Sequence, residues 1–255
     1  MERVEQWKFR PRSMAERTNL WRITSHAYEP LWRRFSTKIL TRGAWTLEQE
    51  CKMVCEMLLE SRDLSAEKVF LYPSDKKSPT RKLDDDDETP GKVLPEDSVY
   101  LDLGSSTGVY ARAVLAAAPE AKVILVDYSR QMLRKAEKTM KQNYRAVFYQ
   151  CDAAFMPFPD ESIDGVVMGG TLNELTEPEL VLRQVSRVMQ GGAHAVIMHL
   201  VRLQKKIAPL QKIARCGGVW LPLAEEADRL FEEAGLEPIH TLSAGVMRIS
   251  ALRKQ

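Results

Sequence analysis

The chain has 255 residues, 44% of them hydrophobic, which is enough for one sizeable α/β core. Its 37 Lys and Arg against 35 Asp and Glu leave a net charge of +2, which excludes a global polyelectrolyte signal for nucleic acid. No secretory apolar segment and no run long enough to span a bilayer is found, so a reduced, cytoplasmic setting is expected. The Arg-rich start (Arg3, Arg10, Arg12, Arg17, Arg22) leaves organelle import open, while Glu2, Glu5 and Glu16 oppose a typical import signal.

Residues 1–45 carry ten Lys/Arg against four Glu, a net +6 by subtraction, and interleave them with Trp7, Phe9, Trp21, Tyr28, Trp32, Phe35 and Trp45. So many large aromatics require a burial partner. Thr46–Leu59 reads as a helix, capped by Thr46 with Gln49 reciprocating and buried along Leu47, Cys51, Val54, Cys55 and Leu58. The four cysteines (Cys51, Cys55, Cys151, Cys216) form no C-x-x-C pair, so Cys51 and Cys55 read as buried small hydrophobes and no metal site is expected. Residues 74–92 contain prolines, a basic patch and the acidic run Asp84–Glu88, and read as a mobile charged surface loop. Three units follow: an N-terminal helical segment (1–73), which is a lid and cap by family resemblance, this loop (74–92) and an α/β domain (93–255).

Val99–Gly108 (V-Y-L-D-L-G-S-S-T-G) reads as a strand, a tight small-residue turn and a helix start that let a ligand approach the backbone. Lys122–Asp127 is a second apolar strand ending in an acid about 20 residues on, where doubly wound folds grip a ribose. Ser129 caps a helix over 130–141, with Met132, Leu133, Ala136 and Met140 inward. A third strand, Ala146–Gln150, runs into Cys151, Asp152 and Ala153, so three successive strand ends carry Asp102, Asp127 and Asp152. Helices over 178–189 and 223–234 alternate with further strands, and residues 239–252 read as a closing hairpin turning at 243–245. The expected fold is α/β: a doubly wound, seven-stranded, mostly parallel sheet with an antiparallel final strand, plus the helical lid.

In order and combination, Leu101–Gly108, Val126–Ser129 with Met132 and Leu133, Asp152 with Pro157–Asp160, Ser162–Asp164 and Leu182–Gly192 resemble the class I S-adenosylmethionine (SAM)-dependent methyltransferases. The likeness is to the small-molecule branch typified by ubiquinone and menaquinone biosynthesis, and it covers roughly 99–200. One position departs: Ser106 stands where the family usually has its middle glycine.

The resemblance implies SAM as cofactor, released as S-adenosylhomocysteine. It implies that Asp127 takes the ribose and that Asp152 with the Ala153 N–H takes the adenine edge. The cofactor carboxylate is expected on N–H groups near Gly108 and its ammonium near Asp102. Tyr28, Gly104, Ser105, Ser106, Tyr128 and Gly169 complete the expected cofactor set. Trp32, Asn173 and Glu174 are expected against the acceptor, a small, apolar or aromatic molecule.

No D-P-P-Y type motif or RNA-binding module appears, so no nucleic-acid partner is expected. Two other readings stand: a SAM-binding protein that no longer methylates, kept open by Ser106, and a nicotinamide-dependent reductase, disfavoured because Ser106 and Val109 stand where its glycines belong. Methyl transfer is an in-line displacement that needs a base only if the nucleophile loses a proton. His199, placed by strand alternation at the cleft mouth, and His26, in the aromatic segment, are the candidate bases.

Overall fold

The computed structural model describes residues 33–59, 97–140, 143–202 and 219–255. His26, Tyr28, Trp32, Cys216 and the acidic run 84–88 lie outside the described residues. Among the described residues, two helices precede the sheet: α1 (Arg34–Leu40) and α2 (Leu47–Leu59). Then come β1 (Val99–Leu103), α3 (Val109–Ala117), β2 (Lys122–Asp127), α4 (Arg130–Thr139), β3 (Ala146–Gln150) and β4 (Ile163–Gly169). The chain continues through α5 (Pro178–Val188), β5 (Met189–Leu200), α6 (Ala224–Glu233), β6 (Leu236–Ala244) and β7 (Met247–Lys254).

The seven strands lie in the order β3-β2-β1-β4-β5-β7-β6. All neighbours are parallel as far as β5, and β7 runs antiparallel between β5 and β6. The hairpin is longer than its apolar run suggests, because β6 and β7 stay paired from Leu236↔Lys254 up to Ala244↔Met247. The expected sheet is thus present, closing strand included. Its topological switch lies between β1 and β4, where successive connections leave in opposite directions. Ligands of open α/β sheets bind at the carboxyl ends of such a strand pair.

Each face of the sheet buries its own helices, as alternating side chains on two-sided strands require. On one face Val54, Leu58, Val114 and Ala136 from α2, α3 and α4 pack on Tyr100, Val123, Leu125, Val167 and Val196. On the other, Leu182, Val185 and Phe231 from α5 and α6 pack on Leu101, Val166, Ala195, Ile197 and Leu252. The caps follow the sequence. The Gln49 N–H donates to the Thr46 hydroxyl and the Thr46 N–H to the Gln49 side chain, while the Met132 N–H donates to Ser129. Cys55 is buried and Cys51 half-buried, and burial pushes both thiols up to about 12, so they act as small hydrophobes and not as thiolates.

Phe231 is fully buried between α5 and the sheet. Phe231→Ala is expected to cost about 3–5 kcal/mol of unfolding free energy. Urea denaturation checks this, and a loss below 1 kcal/mol would mean that α6 is not part of the cooperative core.

Candidate active site

The carboxyl ends of β1, β2, β3, β4 and β5 open onto one cavity of about 530 Å³. Its floor is built by the loop after β1. The Gly104 and Ser105 N–H groups both donate to the Val126 carbonyl, at 2.8 and 3.0 Å, so the loop hangs on the end of β2. Asp127 completes the attachment: its carboxylate accepts from the Ser106 N–H at 2.8 Å and from the Ser129 N–H at 2.7 Å. Ser106 adopts φ 49°, the left-handed region that a glycine would enter at no cost, and its hydroxyl lies 3.5 Å from the Met132 sulfur. The departure at this position is therefore absorbed by backbone bonding and leaves the loop intact.

The small residues serve the protein as much as a ligand. A Cβ on Gly104, at φ 69°, would stand 2.0 Å from the Thr171 hydroxyl oxygen, and one on Gly169 would stand 2.1 Å from the Tyr110 ring. These two glycines end β1 and β4 at the switch point, and Thr171 and Tyr110 close over them.

Of the residues expected to hold the cofactor, Gly104, Ser106, Asp127, Tyr128, Asp152, Ala153 and Gly169 line the cavity. Asp152 holds its own turn by accepting from the Ala154 N–H at 2.9 Å. Three others do not line it. Asp102 is buried behind the loop and accepts from the Ala111 N–H at 2.9 Å, holding the first turn of α3, so it is not placed to meet a cofactor ammonium. Ser105 is buried with its hydroxyl unpartnered. The Gly108 N–H is spent on the Ser105 carbonyl at 2.8 Å, so the start of α3 does not offer it to a carboxylate.

The acceptor-side expectations divide similarly. Glu174 lines the cavity. Asn173 borders it too, but its amide is committed to the fold: it donates to the Leu200 and Trp220 carbonyls and accepts from the Leu200 N–H. It ties the end of β5 to the segment before α6. His199 is a correction. It lies on the sheet face of Ala195 and Ile197, as alternation requires, but that face is closed by α6. The ring is fully buried, edge-on to Phe231 at 5.5 Å, with Nδ1 3.3 Å from the Ile197 carbonyl. Burial lowers its pKa to about 4, so the imidazole is neutral and away from the cavity. The cleft is on the opposite side of β5, which presents Met198 and Leu200.

Sequence reasoning missed a buried polar cluster. Arg33 Nη2 donates to Glu50 Oε1 at 2.7 Å and to the Tyr110 hydroxyl at 2.8 Å. Tyr110 also donates to Glu50, and the Thr37 hydroxyl donates to Glu50 Oε2 at 2.8 Å. Glu50 is fully buried, and the pair links the start of α1 to α2 and α3. The far end of α1 is fixed by the Val246 N–H donating to the Leu40 carbonyl at 3.0 Å. Helix α1 thus spans the cavity mouth, with Phe35, Ile39 and Leu40 along its wall.

A family profile described as "Methyltransferase domain" matches residues 94–235. The chain belongs to this family of SAM-dependent methyltransferases. It is 32% identical over 102 residues to a demethylmenaquinone methyltransferase of Roseiflexus sp., a match covering 40% of this chain and 42% of that protein. It is 28% identical over 180 residues to a ubiquinone/menaquinone biosynthesis C-methyltransferase of Cupriavidus taiwanensis, covering 60% of this chain and 74% of that protein. The chain thus spans about two fifths of the first relative and three quarters of the second. Among solved structures, an Aquifex aeolicus SAM-dependent methyltransferase shares the fold at TM-score 0.52 and 20% identity over 62% of this chain and 82% of that one. A geranyl diphosphate methyltransferase shares it at TM-score 0.57 and 12% identity over 64% and 73%. Among the described residues, no helix is long and apolar enough to cross a membrane.

Burial lifts the Asp102 carboxyl from 3.8 to about 7, the Ala111 N–H opposing and nearby Asp127 reinforcing the rise. Because the native value is the raised one, the unfolded chain loses this proton first. The group's contribution to stability is therefore highest below pH 4, falls as pH rises towards 7, and stays low above that. Asp102→Asn keeps an oxygen for the Ala111 N–H without the charge. The variant should gain melting temperature relative to wild type between pH 4 and pH 7.5; a difference that is constant across that range would contradict the buried carboxylate.

Proposed function

We propose that this chain transfers the methyl group of SAM to a small, largely apolar, aromatic acceptor of the quinol type. The observation that carries this reading is the two-ended cavity. One end, at β2 and β3, presents the carboxylates of Asp127 and Asp152 between apolar Met132 and Cys151. The other is walled by Phe35, Ile39, Leu175, Leu221 and Met247.

The residues present fit the cofactor. Each Asp127 oxygen takes one backbone N–H, and a carboxylate oxygen has a second acceptor site. Asp127 would therefore hold the two ribose hydroxyls without giving up the loop. Asp152 and Ala153 would border the adenine, with Met132 and Cys151 packing on its faces. Burial pushes the Cys151 thiol up to about 12, so it is an uncharged packing group there. When bound, SAM supplies an electrophilic methyl on a sulfonium.

The protein's part in the reaction is positioning and exclusion of water. Helix α1 covers the mouth, and the apolar wall desolvates the acceptor. Glu174 and Glu177, at the acceptor side, are the cavity's carboxylates for orienting an acceptor hydroxyl or taking its proton. The burial of His199 argues against its being a base. The rate should not follow an imidazole titration near 6.5 through that residue, and His199→Asn should lower stability more than methyl transfer. The names of the quinone-pathway relatives make quinols the first acceptors to test.

Asp127→Ala should weaken SAM and S-adenosylhomocysteine about tenfold or more, since charge-assisted hydrogen bonds are lost. Calorimetry reads this; unchanged affinity would take Asp127 out of the site. Methyl transfer from labelled SAM to a quinol and phenol panel tests the reaction itself. Tight SAM binding without turnover on any of them would favour a binding protein over a transferase.

A further inference from the structure

Three of the four crossovers between parallel strands carry an α-helix: α3 between β1 and β2, α4 between β2 and β3, and α5 between β4 and β5. The crossover from β3 to β4 has only the single helical turn Ala153–Phe155. Parallel strands are ordinarily covered on both faces. On one face β3 packs Ala146 and Phe148 into the layer of α2, α3 and α4. On the other, Val147 and Tyr149 stay 48% and 40% exposed, and Phe155 in the short turn is 59% exposed. The Phe158 ring meets Tyr149 edge-on at 5.4 Å and extends the aromatic surface.

Among the described strands β3 is also an edge of the sheet, and β6 is the other. The two edges differ in kind. β6 carries Glu237 and Pro238 and shifts register between Pro238 and His240. Charge, proline and irregular register are devices that keep an edge from pairing. β3 reads A-V-F-Y-Q, without charge or proline, and its register to β2 is regular. The Arg145 carbonyl accepts from the Val123 N–H on β2. By alternation the N–H and C=O of Phe148 then face away from β2, towards the open edge.

We propose that β3 is a dimer interface, at which two copies of this chain pair edge to edge and antiparallel about a two-fold axis at Phe148. The strand is complementary to itself in that register. With Phe148 opposite its counterpart, Val147 of each copy faces Tyr149 of the other, a favourable aromatic and β-branched cross-strand pair. An uncharged strand brings no like charges together. Tyr144, just before the strand, is 83% exposed. At about 150–250 Å² per aromatic side chain, the exposed parts of Tyr144, Tyr149 and Phe155 amount to roughly 270–450 Å² per copy. That is about a third to a half of the roughly 800 Å² that each partner buries in a standard interface. Val147, the strand backbone and its flanking turns supply the remainder. The turn that carries Phe155 also places Ala153 and Ala154 in the cavity wall, so the interface adjoins the site. The proposal is independent of the cofactor and of the acceptor.

Sedimentation velocity of the full chain tests it. The wild type should sediment as a dimer at micromolar concentration. Tyr149→Lys puts a charge on the strand edge and should raise the dimer dissociation constant about tenfold or more, with the circular-dichroism spectrum unchanged. Phe155→Lys lies outside the sheet and serves if the first variant does not fold; it should weaken the dimer in the same direction. A monomeric wild type would overturn the proposal and leave the patch to a different protein. A wild-type dimer that withstands the lysine substitutions would overturn it as well, because the interface would then lie elsewhere.

Discussion

The site depends on one carboxylate at the end of one strand. Asp127 takes a backbone N–H from the loop after β1 and another from the turn into α4. Both segments would otherwise leave polar backbone groups at a buried junction. Burial raises the Asp127 carboxyl to about 6, and the N–H bonds from Ser129 and Ser106 hold it below where burial alone would put it. The same interaction that orders the loop thus keeps this buried acid near its charged state. A ligand hydroxyl pair arriving there meets an acceptor whose position is already fixed, which is the condition for tight and specific binding.

Around that point the fold arranges two kinds of wall. The sheet edge contributes strand ends and turns, which are polar and rigid. The opposite wall is contributed by α1, by the segment before α6 and by the β6–β7 hairpin, and it is mostly apolar. Helix α1 belongs to this second wall, yet its attachment is polar: Arg33, Thr37 and Tyr110 converge on the buried Glu50. Breaking such a cluster by removing one partner costs several kcal/mol, because it strands a buried charge, whereas intact it mainly fixes geometry. Its value here is that it registers α1 against Gly169 and the cavity floor.

Much of this was legible in the sequence, because it is written in short-range patterns. The strand ends at Asp102, Asp127 and Asp152, the Thr46 and Ser129 caps and the closing hairpin all rest on residues close in the chain. What was not legible depends on which side of an element meets which neighbour. Alternation assigns His199 to a face but does not say that α6 covers that face and that the cleft lies behind Met198. Asn173 looks like a ligand residue until its amide is seen bonded to Leu200 and Trp220, 27 and 47 positions away. Arg33 and Tyr110 are 77 residues apart, and no local pattern announces their contact. The start of α3 looked like an anion site because helix starts carry free N–H groups; here the loop consumes the Gly108 N–H.

The corrected site is simpler than the one the sequence suggests. Among the described residues no histidine lines the cavity, and on the proposed reading its chemistry reduces to holding a sulfonium donor and an apolar acceptor in line. A crystal structure of the wild-type protein with S-adenosylhomocysteine tests that account most directly. The account predicts density running from Asp152 and Asp127 across the switch point towards Gly169, with the sulfur facing the space beneath α1. A ligand lodged elsewhere, or one whose nucleoside does not meet Asp127, would contradict it.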